Sequence, residues 1–174
     1  RSVQGKDLES PLRDLMYVDK RIYGGSSPEL VSDMERFGRY LVMTQVYGEA
    51  EIVLKRALAI KEKIVGKDHP ELAGILRIIG RVLFEVNSLS DAGKTFTRAL
   101  EIDRKSGVQP DEVEDMRSLG MVYCRQGAYD SAEKMYKKVV EMDRYLKNGE
   151  EDPSVITETN VLAVLLYAQG KLEQ

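Results

Sequence analysis

The stretch Leu119-Gly120-Met121-Val122-Tyr123-Cys124-Arg125-Gln126-Gly127-Ala128-Tyr129-Asp130-Ser131-Ala132-Glu133-Lys134-Met135-Tyr136 decides how this chain is read. Apolar and small residues fall three and four apart on each side of a polar break from Arg125 to Tyr129. That spacing marks one face of a helix on each side. The stretch therefore reads as helix, tight turn, helix.

The same figure recurs along the chain. Gly38, Gly80, Gly120 and Ala163 lie 42, 40 and 43 residues apart, and Pro28, Pro70, Pro110 and Pro153 keep the same intervals. A fixed period of this size is the mark of a repeat architecture. Stacking the segments on the small residue aligns Phe37, Ile79, Leu119 and Leu162 one position before it, and Met34, Leu76, Met116 and Thr159 four before. Leu41, Leu83, Tyr123 and Leu166 come three after it. Ala50, Ala92 and Ala132 come twelve after, and Leu54, Phe96 and Tyr136 sixteen after. These rows are the expected core. Proline opens each unit, where its fixed φ suits the first helical turn, and Ser27 and Asp152 stand before it as expected caps. Gly66, Gly107 and Gly149 are expected helix stops. A glycine inside a helix costs about 1 kcal/mol relative to alanine. Its recurrence at Gly38, Gly80 and Gly120 implies close approach of the paired helix, with Ala50, Ala92 and Ala132 expected to face it.

Leu119-Gly120, Tyr123, Gly127-Ala128-Tyr129, Ala132 and Tyr136 together resemble the tetratricopeptide repeat. The unit of 40 to 43 residues is similar to the long repeats of kinesin light chains and nephrocystin-like proteins. The resemblance implies an all-α fold, a right-handed superhelix of stacked antiparallel helix pairs. Residues 1–174 are expected to form one array. In it, 8–23 is the second helix of a preceding repeat, 28–66, 70–107 and 110–149 are whole repeats, and 153–170 is the first helix of a following one. The apolar face of that last helix (Leu162, Leu165, Leu166, Tyr167) is expected to lack a partner within the chain. On this reading the chain is a piece cut from a longer array.

Composition narrows the function. Of 174 residues, 43% are hydrophobic and 32% charged, with a net charge of −3. An acidic balance argues against a general nucleic-acid binder. No run reaches the roughly 18 apolar residues of a membrane helix, so membrane contact is not expected. The only cysteine is Cys124 and the only histidine is His69. That removes disulfide frameworks, Cys/His metal sites and most histidine-based catalysis. It also favours a reducing, intracellular, cytoplasmic setting, with an organelle interior as the alternative. His69 reads as a surface turn residue and Cys124 as a half-buried structural thiol. Gly24-Gly25-Ser26-Ser27 reads as a linker. The acids Glu112, Glu114, Asp115, Glu150, Glu151 and Asp152 read as solvated loop charges. No catalytic motif, cofactor or metal site is indicated, and the protein is expected not to be an enzyme.

In the tetratricopeptide family the first helices line a concave face, and the resemblance implies groove positions there. These carry Arg39, Arg77, Arg81, Phe84, Arg117, Arg125, Asn160 and Tyr167. Guanidinium forks bind carboxylate or phosphate bidentately, which ammonium groups do not. The implied function is a non-catalytic scaffold or adaptor holding an acidic or phosphorylated, partly apolar segment of another protein. The bland alternative makes these arginines solvated or internally paired helix charges. A functional alternative is an assembly element that self-associates through its incomplete terminal repeats.

Overall fold

The computed structural model describes residues 27–107, 109–146 and 152–169. The helix expected over 8–23, the linker at 24–26 and the stop at Gly149 lie outside them. Among the described residues every regular element is a helix. In chain order they are α1 (Pro28–Met43), α2 (Tyr47–Val65), α3 (Glu71–Glu85), α4 (Leu89–Ser106), α5 (Gln109–Arg125), α6 (Tyr129–Leu146) and α7 (Pro153–Ala168).

The helix ends follow from local chemistry. Ser27 Oγ accepts a hydrogen bond from the Leu30 N–H at 3.1 Å, and the Asp152 carboxylate accepts from the Ser154 N–H at 2.9 Å. Each satisfies a backbone donor that the first turn leaves open. Gly66 and Gly107 close α2 and α4 at φ +94° and +75°. The three tight turns share one geometry. Gln45, Asn87 and Gly127 each take a left-handed φ, at 61°, 61° and 72°. After each, a backbone N–H returns to a carbonyl five residues back: Val46 to Leu41, Ser88 to Leu83 and Ala128 to Tyr123, at 2.8–2.9 Å. This is the Schellman closure of a helix C-terminus.

The chain divides into two compact units, one ending at Ser88 and one beginning at Leu89. In the first, α2 packs against both α1 and α3, and α1 touches α3. Its core comes from the stacked rows: Met34, Phe37 and Leu41 on α1, Ala50, Leu54 and Ala57 on α2, and Leu72, Leu76 and Ile79 on α3 are all buried. In the second unit α5 packs against α4 and α6, and α7 packs on α6. Phe96, Met116, Leu119, Ala132, Tyr136 and Val139 form its buried centre.

The structure changes four details of the sequence reading. At Gly38 and Gly120 the nearest neighbour of the mid-helix glycine is the large side chain sixteen positions on. A Cβ at position 38 would overlap the Leu54 side chain, and one at position 120 would sit 2.8 Å from Tyr136 Cε2. Second, the apolar face of α7 does have a partner: Leu165 is buried against Ala132 and Tyr136, with Leu162 packed beside it. Third, Thr159, in a core row, is exposed, and its hydroxyl donates to the Val155 carbonyl of its own helix at 2.7 Å. Fourth, Glu112, Glu114 and Asp115 are not solvated loop charges. They lie on α5, where Glu112 pairs with Arg104 at 2.7 Å, Glu114 pairs with Arg117, and Asp115 is fully buried.

Candidate partner-binding surface

The implied groove residues lie on first helices: Arg39 on α1, Arg77, Arg81 and Phe84 on α3, Arg117 and Arg125 on α5, and Asn160 and Tyr167 on α7. In the first unit, Arg39 and Arg81 occupy the same repeat position, one residue after the glycine, on two touching helices. Both are exposed, and neither forms an ion pair among the described residues. Arg77, one turn before Arg81, is half-buried and has an interaction of its own. Phe84 is half-buried. Met43, at the end of α1, is 83% exposed. Among its described residues this unit thus offers two guanidinium groups without an ion pair, beside apolar surface.

The second unit differs. Arg117 is half-buried and committed to partners within the chain. Its Nη2 donates to Asp143 on α6 at 3.0 Å, its Nε donates to Glu158 on α7, and its Nη1 donates to Glu114 on its own helix. Asp143 and Glu158 are both buried. Burial alone would lower the guanidinium pKa. The hydrogen bond and charge of Glu158, then the charges of Glu114 and Asp143, outweigh that and raise it above its ordinary value. Arg125 is exposed and has an interaction within the chain. Asn160 is exposed, and Val164 and Tyr167 are 67% and 69% exposed, with Met121 also open to solvent. Here the first helices present mainly apolar and amide groups.

Arg117 belongs to a pattern that runs through the repeats. Glu35 on α1 pairs with Lys61 on α2 at 3.0 Å, and Arg117 pairs with Asp143 at the same distance with the charges exchanged. Both pairs are 26 residues apart, and the sequence carries opposite charges at that spacing again at Arg77 and Asp103. That recurrence was the sequence signal for internal pairing at this position.

None of the implied groove residues lines either of two cavities described in the second unit. One of about 530 Å³ is bordered by Arg104, Glu112, Met116, Lys138, Met142 and Tyr145. Another of about 470 Å³ runs between α4 and α5 past Lys94, Arg98, Tyr123 and Gln126. The candidate surface is an open helix face, suited to a chain segment more than to an enclosed small molecule. Cys124 is half-buried beside Tyr136 and Leu165. Burial raises its thiol pKa, which lowers the share of nucleophilic thiolate. Among the described residues, no group of three His, Cys, Asp or Glu side chains is placed to hold a metal ion. No described helix is long and apolar enough to cross a membrane.

Comparison with known proteins agrees with the fold. The tetratricopeptide repeat family matches residues 33–105 and 71–145. The chain belongs to that family, whose all-α solenoids are in general non-catalytic scaffolds for protein–protein interaction. A crystal structure of a Podosopora anserina protein, assigned as a kinesin light chain with nearly identical repeats, superposes with a TM-score of 0.85 at 18% identity. The match covers 97% of this chain and 80% of that one. BtubC from P. vanneervenii gives 0.75 at 18% identity over 97% of this chain and 68% of its own. MamA gives 0.70 at 16% identity over 99% and 88%. Identities this low speak for the fold alone. Among curated proteins no sequence match is found.

Proposed function

We propose that this protein is a non-catalytic adaptor that holds an acidic or phosphorylated, partly apolar segment of a partner protein on the exposed face of its first helices. The observation that carries this reading is the pair Arg39 and Arg81. A chain with net charge −3 keeps two exposed guanidinium groups at one repeat position, uncommitted to any carboxylate among the described residues. Met43 and Phe84 supply apolar contact beside them in the first unit; the first helices of the second unit, taken by themselves, expose Met121, Asn160, Val164 and Tyr167. A reducing, cytoplasmic setting suits the lone thiol.

The test is affinity capture from the native cell, with the wild-type chain and the Arg39→Glu/Arg81→Glu variant as parallel baits. A partner recovered by the wild type and lost by the variant supports the reading. A partner recovered equally by both rejects this surface. Self-association is a second reading, favoured by the exposure of Ile156, Val164 and Tyr167 on one helix. Light scattering that reports a concentration-independent monomer removes it.

A further inference from the structure

The helix α7 carries Asn160, Val164 and Tyr167, yet its own hold on the second unit is slight. Its buried apolar residues are Val155 and Leu165, with Val161 and Leu162 packed at the edge of the Ala132–Tyr136 cluster. By contrast α5 buries Val113, Met116, Leu119 and Val122. The third buried side chain of α7 is a carboxylate, Glu158. A carboxylate out of water is stable only when paired and hydrogen-bonded. Its partner is Arg117, which also donates from Nη2 to Asp143 on α6 and from Nη1 to Glu114 on α5. A guanidinium is planar, with its donors in a fixed fork. Locked from two sides by α5 and α6, it offers Nε to α7 in one orientation only. A single charged group thus ties three helices together, and it lies where the weakest-packed helix meets the rest.

We propose that Arg117 is a positioning residue that docks α7 onto the second unit, and so holds Asn160, Val164 and Tyr167 in the surface offered to a partner. Its role in partner binding is indirect, through Glu158. The functional half of this statement rests on the first-helix reading above, whereas the docking half does not.

Hydrogen exchange of the full chain, read by mass spectrometry without any partner, tests the docking half alone. In Glu158→Ala and in Arg117→Met, backbone amides of 153–168 exchange at least tenfold faster, while those of 113–125 and 130–140 keep their wild-type rates. Glu158→Gln, which leaves an acceptor for Arg117 Nε, restores most of the protection. If Arg117→Met fails to fold, Glu158→Ala carries the test, because it leaves Arg117 paired with Asp143 and Glu114. Wild-type protection of α7 in Glu158→Ala overturns the proposal, as does equal acceleration in α5, α6 and α7.

Discussion

Gly120 on α5 faces the ring of Tyr136 on α6 so closely that a Cβ added there would lie 2.8 Å from Cε2 and 3.0 Å from Cζ. Tyr136 is buried among Ala132 and Leu165 and has little room to withdraw. Two effects compete in Gly120→Ala. Helix propensity favours alanine by about 1 kcal/mol, and overpacking a filled core costs about 1–3 kcal/mol. The contact is with a rigid ring, so overpacking wins. Gly120→Ala is expected to lower stability by about 1 kcal/mol in urea denaturation, and Tyr136→Leu in the same chain to remove that penalty.

The turn at Gln45 offers the opposite outcome. Its φ of +61° is left-handed, where a side chain costs roughly 1–2 kcal/mol and glycine costs nothing. Gln45→Gly is expected to stabilise the chain by about 0.5–1 kcal/mol. Gly127→Ala, at the matching turn, is expected to destabilise it by about 1 kcal/mol. No neighbouring atom lies within 4 Å of a Cβ at Gly127, so that loss would be backbone strain alone. Thermal unfolding of both variants checks the pair.

Charge exchange tests the pairing between Glu35 and Lys61. Lys61 also lies 3.8 Å from Glu71, and both members of the main pair are mostly sheltered from solvent. Lys61→Glu sets three acids together and is expected to cost about 1–2 kcal/mol, between the values for exposed and buried pairs. The double variant Glu35→Lys/Lys61→Glu is expected to recover most of that loss, because Arg117 and Asp143 already use the reversed polarity. A double-mutant cycle in urea measures the coupling.

Burial raises the thiol pKa of Cys124, and the sign of the effect is simple. At pH 8 the folded chain holds less thiolate than an unfolded one, so alkylation by iodoacetamide is expected to be slower in buffer than in urea. The gap narrows as pH rises through the folded pKa. The same shift means that stability tied to the protonated thiol is present below the ordinary cysteine pKa and is lost at more alkaline pH. Equal rates in buffer and urea at pH 8 would contradict the burial of this side chain.

The helix pairs were legible because glycine, alanine and proline are positional signals. A small residue inside a helix and a proline at its start have few other uses, and Ser27 and Asp152 cap where that logic placed them. The glycine's nearest neighbour, a large side chain beyond the expected alanine, follows from geometry. In an antiparallel pair, residues equally far from the turn face each other. Gly38 and Leu54 are each eight residues from Val46, and Gly120 and Tyr136 are each eight from Ala128. Counting from the turn would have named Leu54 and Tyr136. Arg117 shows what a row of aligned positions leaves open. Arg77 and Arg117 share a position three residues before the glycine, and Arg117 meets carboxylates from two other helices, Asp143 and Glu158. The 26-residue spacing of opposite charges signals the Asp143 pair, but the bond to Glu158 depends on how three helices come together, which periodicity within one helix does not encode. Thr159 sits in an apolar row yet faces water, since its hydroxyl is satisfied by its own helix.

Arg39 and Arg81 carry the functional account. Each guanidinium bonded to a carboxylate or phosphate at an exposed site contributes up to about 1 kcal/mol, and 1.4 kcal/mol corresponds to tenfold in affinity. The direct measurement is calorimetric titration of the captured partner segment into the wild-type chain and into Arg39→Glu/Arg81→Glu, with thermal unfolding of both recorded alongside. The account predicts a dissociation constant about tenfold weaker in the variant, with its unfolding temperature unchanged. Equal dissociation constants in two equally folded chains would contradict it.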